Sequence, residues 1–341
     1  MLRVATIPLI SLRGEVSQNV ERVEAWLALA AREQIDLAVF PETCLVGGVT
    51  LASLHRRELE ALAEPLDGPA LSAITDAVER TGVAAGVGLI ERAQDGRLFN
   101  SYVICMPDGQ RYCHRKLYAF EHRRIECGER FTVFDTVWGM RIGILIGADN
   151  YLIENVRMTA LMGAALLVAP HRRDGVGRES EERIHAVSGK RGPGGKSGRR
   201  VANASANAEV GEQSDPTSCL RRWLPARAGD NGMFVAFSEG IDFNNESAQL
   251  PAEAAMILDP RGRILAQGTC DSRKIVSADL DSALIDQSIG RQWLMRRRPS
   301  LYGPLAHTSG QASIIADAPR VARAGSVALS FAVVGRDRLL R

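Results

Sequence analysis

The sequence predicts a layered α/β domain, and three observations lead there. Short apolar runs of strand type alternate with amphipathic stretches of helical period through most of the chain. Turn signals such as Pro107-Asp-Gly109 and Asp259-Pro-Arg-Gly262 separate them. Hydrophobic residues make up 45% and charged residues 24%, enough apolar material for a sizeable core. Helices packed outside sheets are the stable solution for such an order.

The elements follow in sequence. Leu2 to Ile7 reads as a strand, and Val16 to Gln34 as a helix with Val20, Val23, Trp26, Leu27 and Ala30 at helical spacing. Ile35 to Phe40 is a short buried strand ending at Pro41-Glu42. A helix over Pro69 to Thr81 precedes a strand over Val83 to Glu91. Phe99 to Met106 and Arg111 to His114 flank a turn and predict a hairpin. Arg141 to Ile146 is a buried strand running into a sharp loop, followed by a helix over Ile153 to Met162 and a strand over Leu166 to Ala169. Met233 to Glu239, Ala254 to Leu258, Ile264 to Gln267 and Lys274 to Asp279 complete the strands.

Composition excludes several function classes. A net charge of +2 supplies no long-range attraction for nucleic acid or an anionic membrane. No run of about 18 apolar residues appears, so no bilayer span is expected. The first ten residues lack the pattern of a secretory signal, and the six scattered cysteines form no C-x-x-C pair. The expectation is a cytoplasmic protein with reduced thiols, which would not use the sequons at Asn203 and Asn245. Nothing has metal-ligand spacing.

One stretch breaks the rhythm. Residues 172–222 are rich in Gly, Arg, Ser and Glu and read as an insertion, a lid or linker. Its Gly192-Pro-Gly-Gly-Lys-Ser197 is not a phosphate loop, because the pattern needs glycine where Lys190 stands and no strand precedes it.

Three separated segments bear on chemistry. Asp36-Leu-Ala-Val-Phe-Pro-Glu42 puts a carboxylate at a strand end, and His114-Arg-Lys116-Leu puts an ammonium at another. Arg141-Ile-Gly-Ile-Leu-Ile-Gly-Ala-Asp-Asn150 ends a third strand in glycine. In this order they resemble the nitrilase (carbon–nitrogen hydrolase) superfamily, whose nucleophile strand reads G-x-x-I-C-Y-D and whose lysine segment reads Y-R-K-x-H-L. Gly143, Ile146 and Asp149 fall on the first pattern, with Gly147 at the cysteine position and Ala148 at the tyrosine. Supporting matches are Ile153-Glu154 with Arg157, Gly163 to Pro170, Arg227-Ala-Gly-Asp-Asn231 and Asp259-Pro-Arg-Gly262. The resemblance spans about residues 1–305, leaving 306–341 as a C-terminal tail.

The resemblance implies a four-layer α-β-β-α sandwich, two facing mixed sheets with helices outside, and a homodimer or higher oligomer. The tail, with its apolar stretch Ser326 to Val334, is expected to cross to a partner subunit. It implies no cofactor and no metal, and a small amide, nitrile or N-carbamoyl compound as substrate. Glu42 would be the general base, Lys116 the stabiliser of the tetrahedral intermediate, and Glu121 a second glutamate, with Glu126 its rival. Such chemistry needs a nucleophile, a base and positive charge where the oxyanion develops. Glycine cannot supply the thiol, so thioester catalysis is expected to be lost. Ala148, Asp149, His171, Arg172 and Arg173 are candidates for lining the substrate pocket, although Arg172 and Arg173 also read as a solvated charge run. Cys44 stands two residues past Glu42 and Cys127 in the loop carrying Glu121, and neither is expected to replace the missing thiol. The alternatives are acid–base chemistry by Glu42 and Lys116 without a covalent intermediate, or a non-catalytic binding or regulatory homologue.

Overall fold

Period-2 burial in the strands splits the hydrophobic residues of this protein between three packing layers. The computed structural model describes residues 1–47, 51–172, 216–242, 254–269 and 275–306. Its strands are β1 (Leu2–Thr6), β2 (Ile10–Ser11), β3 (Leu37–Val39), β4 (Ala84–Arg92), β5 (Leu98–Cys105), β6 (Arg111–Arg115) and β7 (Ile125–Glu126). They continue with β8 (Thr132–Phe134), β9 (Ile142–Ile144), β10 (Leu166–Arg172), β11 (Phe234–Asp242), β12 (Ala255–Leu258), β13 (Ile264–Gly268) and β14 (Val276–Leu280). The α-helices are α1 (Val16–Arg32), α2 (Arg56–Leu62), α3 (Pro69–Thr81), α4 (Ile153–Leu161), α5 (Pro216–Asn231), α6 (Ala283–Asp286) and α7 (Ile289–Arg296).

Among the described residues the strands form two mixed sheets. The first has the order β14-β1-β3-β4-β5-β6, with β7 beside β5. The second has the order β13-β12-β11-β10-β9-β8, with β2 beside β11. The parallel pairs lie at the centre of each sheet, β1–β3–β4 in one and β9–β10–β11 in the other. Both are therefore buried on two faces, as central parallel strands require.

Alternation assigns the layers. In the first sheet Leu2, Val4, Leu37 and Val39 face the second sheet, meeting Ile142, Ile144, Leu166, Val168, Phe234 and Ala236. The intervening Ala5, Ala38 and Phe40 pack outward against Val23 and Leu27 of α1 and Leu71 and Ile74 of α3. In the second sheet Leu167, Ala169, Val235 and Phe237 pack outward against α4 and α5 through Val156, Ala160, Leu220 and Leu224. The result is the four-layer α-β-β-α sandwich that the resemblance implied. At roughly 25 cal/mol per Å² of buried apolar surface, these three interfaces dominate its stabilisation.

The predicted strands and helices are all present, with ends moved by a few residues. Sequence reading missed β2, β7, β8, α2, α5, α6 and α7. The helix α5 is a correction as well, because it starts at Pro216, inside the stretch read as an irregular insertion. Its Leu220, Leu224 and Ala228 recur every four residues and are fully buried, a stripe hidden in the sequence by Arg221, Arg222 and Arg227. Residues 173–215, including the Gly192–Ser197 segment, lie outside the described residues, as does the tail stretch Ser326 to Val334. Met1–Arg296 forms one compact unit, and Arg297–Arg341 groups apart from it. The described part of the second unit carries two 3-10 turns, Pro299–Leu301 and Gly303–Ala306. The sequence placed this boundary at 305.

Beyond β3 the chain turns sharply back over β4. Leu45 N donates to Gly88 O at 3.0 Å, and Gly88 N donates to Cys44 Sγ at 3.4 Å. A Cβ on Gly88 would overlap Thr43 N and press on the Glu42 backbone. Gly88→Ala should therefore push the Glu42 turn off β4 and destabilise the fold by about 1–3 kcal/mol, the usual cost of overpacking. Urea denaturation measures this, and an unchanged midpoint would show that the turn is loosely held.

Candidate active site

Three strand ends converge on one buried polar cluster. Glu42 follows β3, Lys116 follows β6, and Gly147 follows β9, opening a 3-10 turn over Gly147–Tyr151. Lys116 Nζ donates to Glu42 Oε1 at 2.7 Å and also to Glu121 Oε1. Glu42 and Lys116 are each 5% exposed. Burial, the largest influence on Lys116, disfavours its charge, but Glu121 and Glu42 together outweigh it and hold the ammonium well above the usual lysine range. The structure thus brings Glu121, not Glu126, to the lysine; Glu126 points to solvent.

Sequence reasoning missed Asn100, which organises the cluster. It lies in β5, is 1% exposed, and its backbone carbonyl accepts Lys116 N at 2.8 Å. Its Nδ2 donates to Glu42 Oε1 at 2.7 Å and to Glu121 Oε1 at 3.1 Å. The available signal was an asparagine inside an otherwise apolar strand, which is stable when buried only if its amide is bonded.

Gly147 faces this cluster directly. Its φ is +46°, a left-handed backbone that glycine adopts without a Cβ penalty. A Cβ at that position would lie 2.6 Å from Glu42 Oε2 and 3.1 Å from Lys116 Nζ. A side chain here would therefore enter between the carboxylate and the ammonium.

The Gly147 turn is fastened by Asp149. Asp149 is fully buried; its Oδ1 accepts Tyr118 N at 2.9 Å and its Oδ2 accepts Ile146 N at 3.1 Å. His114 Nε2 lies 3.2 Å from the same Oδ2, and His114 Nδ1 lies 3.1 Å from Thr132 Oγ1. Both carboxylate oxygens are bonded within the protein, so Asp149 holds the turn in place. Ala148 is partly exposed beside it.

His171 and Arg172 end β10 and are buried, 5% and 7% exposed. The solvated-charge reading of Arg172 is thereby overturned: its Nη1 donates to Thr43 Oγ1 at 3.1 Å, next to Glu42. Thr43 has φ +49°, which a β-branched residue adopts only under strain of about 1–3 kcal/mol. Such strain clusters at functional sites, and here it sits on the turn that aims Glu42. Arg173 lies outside the described residues.

Cys44 and Cys127 make their contacts away from Glu42 and Lys116. Cys44 is buried against Gly88, and burial pushes its thiol up to about 12, so it stays neutral. Cys127 is exposed, with its Sγ 3.9 Å from Ala119 O. Among the described residues no three His, Cys, Asp or Glu side chains gather to hold a metal ion. No helix there is long and apolar enough to cross a membrane.

Comparison with known proteins agrees with this fold. A carbon–nitrogen hydrolase family model matches residues 3–193. The chain is 28% identical to an (R)-stereoselective amidase of a Pseudomonas species over 285 residues, covering 82% of this chain and 86% of that protein. It is 25% identical to an aliphatic nitrilase of Sinorhizobium fredii, again covering 82% and 86%. An amidase variant of Nesterenkonia sp. AN1, solved with the acetamide moiety of fluoroacetamide on its active site cysteine, shares the fold with a TM-score of 0.62 at 18% identity. That likeness covers 88% of this chain and 95% of the amidase chain.

Two measurements follow. Lys116→Met leaves two buried carboxylates uncompensated and should cost about 3–5 kcal/mol in chemical denaturation. Because the folded ammonium titrates above the unfolded one, its contribution is full below the unfolded pKa of about 10.4 and is lost as pH rises through the folded value. The variant's alkaline limb should therefore be flatter, and an identical limb would contradict the pairing. At pH 8, iodoacetamide should label Cys127 in native protein and spare Cys44 until denaturant is added; peptide mass spectrometry reads this out.

Proposed function

Because the chain belongs to the carbon–nitrogen hydrolase family, we propose that it presents that family's pocket for a small amide, nitrile or N-carbamoyl compound without the thiol that would attack it. The carrying observation is the direction of the missing Cβ at Gly147, 2.6 Å from Glu42 Oε2 and 3.1 Å from Lys116 Nζ. A cysteine there would have its base and its oxyanion partner in place. Glu42 would take the thiol proton, Lys116 would face the oxygen of the tetrahedral intermediate, and Glu121 would orient the amide nitrogen. With glycine none of this forms a thioester, and the pocket binds without acylation.

The amidase and nitrilase relatives support the substrate class. The site lies among buried groups that hold a carboxylate and an ammonium in fixed geometry, as transition-state stabilisation requires. The same reading carries a homodimer formed through the outer helical layer, where Ile153 and Met158 of α4 and Trp223 of α5 are exposed.

Gly147→Cys tests the assignment. A side chain at φ +46° costs about 1–2 kcal/mol, and Glu42 must give way slightly. Ammonia release from propionamide, benzamide, propionitrile and N-carbamoylglycine should nevertheless rise by several orders of magnitude, since losing a triad nucleophile costs about 10⁶-fold. Intact-mass spectrometry should show the acyl adduct on residue 147. A variant that stays inert on all four, with Glu42→Gln also silent, would remove the site assignment.

A further inference from the structure

We propose that His122 is a positioning residue for Glu121, and that it holds the Glu121 loop only as a neutral imidazole, so that acidification releases the loop. The latch stands on its own geometry. Its consequence for chemistry rests on the pocket reading above.

The two partners of the ring fix its tautomer. His122 is 8% exposed and directly follows Glu121. Its Nε2 lies 3.3 Å from Leu54 O, a carbonyl that can only accept, so Nε2 carries a hydrogen. Its Nδ1 lies 3.0 Å from Arg124 N, a backbone amide that can only donate, so Nδ1 keeps its lone pair. The ring thus closes its own turn, in which Ile125 N also donates to His122 O at 3.0 Å, and ties that turn to Leu54.

Apolar packing seats the ends of this loop. Ala119 and Ile125 are buried with Val46, Leu51 and Leu59, and Ile125 pairs with Leu98 of β5. Between those ends, two adjacent side chains hold different partners. Glu121 accepts from Lys116 and Asn100, while His122 holds Leu54 and Arg124. Without the His122 bonds, the turn carrying Glu121 loses both its tie to Leu54 and its closure at Arg124.

A second ring proton finds no acceptor. It would sit on Nδ1 facing the Arg124 N–H, turning a hydrogen bond into donor against donor. Charge nearby is close to balanced. On the same loop Glu121 and Glu126 offset Arg123 and Arg124, and past Leu54 Glu58 and Glu60 offset Arg56 and Arg57, beside an exposed His55. Arg56, by its hydrogen bond, chiefly holds the Glu60 carboxyl below the usual range, with Arg124 and Arg92 adding to it. Hydrogen-bond polarity at Nδ1 is therefore the deciding influence. Histidine ordinarily changes charge between about pH 5 and 8, so the latch opens within that range. Once it opens, Glu121 leaves Lys116 and Asn100, and the ammonium keeps Glu42 as its carboxylate partner.

The test follows backbone amide resonances of the full-length parent by ¹⁵N NMR from pH 8 to pH 5. The Arg124 and Glu121 amides should shift together with one midpoint. His122→Asn should abolish that shift, because its side-chain oxygen can accept the Arg124 N–H and does not titrate. An Arg124 resonance that stays in place in the parent overturns the latch, as does an equal shift in His122→Asn. In Gly147→Cys, kcat for propionamide should show an acid limb at the NMR midpoint, and adding His122→Asn should remove it. If the limb persists in the double variant, His122 does not act through Glu121 and the positioning role falls. If Gly147→Cys is inert on every probe, the pocket reading fails, and the amide titration still decides the latch.

Discussion

One ammonium shared by two buried carboxylates sets the geometry of this site. Lys116 lies between Glu42 and Glu121, and none of the three is more than about a tenth exposed at its side chain. Such a group tolerates burial only when its charges are paired and its remaining hydrogen-bonding positions are met. Asn100 meets part of that need by donating to both carboxylates, so the amide and the ammonium arrive at the same oxygens. The ends of β3 and β6, the middle of β5 and the loop to Gly128 are thereby tied to one point. Gly128 N closes that loop on Lys116 O at 2.7 Å.

A second set of bonds joins the two sheets across the cluster. Asp149 belongs to the turn after β9 in the second sheet, yet it accepts the backbone N–H of Tyr118, just beyond β6 in the first. His114 reaches from β6 to Asp149 and to Thr132 of β8. Arg172 reaches from β10 to Thr43 beyond β3. Hydrogen bonds to charged partners contribute about 1.5–3 kcal/mol each, so these links fix the Gly147 turn against the lysine with more than apolar packing. The chain keeps this scaffold around a position that carries no side chain.

The strand at Gly147 is flanked by apolar neighbours that would serve packing whether or not a nucleophile were present. Ile142 and Ile144 fill the space between sheets, and Leu145 packs beneath α4. Packing of this strand therefore does not rest on a side chain at position 147. Fold and activity are separable properties.

The order of strands and helices, the four-layer class and the trio Glu42, Lys116 and Gly147 were legible in the chain. Local period and turn residues carry the element order along the backbone, while the resemblance of three motifs to a known family implied the four-layer class and the trio. Asn100, the clamp role of Asp149, the burial of Arg172 and the strained Thr43 were not. Each depends on a partner 31 or more residues away, brought near by sheet pairing or by the facing of two sheets. The stripe of α5 escaped notice because arginines surround its buried leucines, and only a neighbouring sheet distinguishes a buried row from a charged surface. Sequence alone therefore determined which groups the chain offers and at which strand ends they stand. The tertiary structure decided which oxygen meets which nitrogen, because those distances are set by packing between layers that no local pattern records.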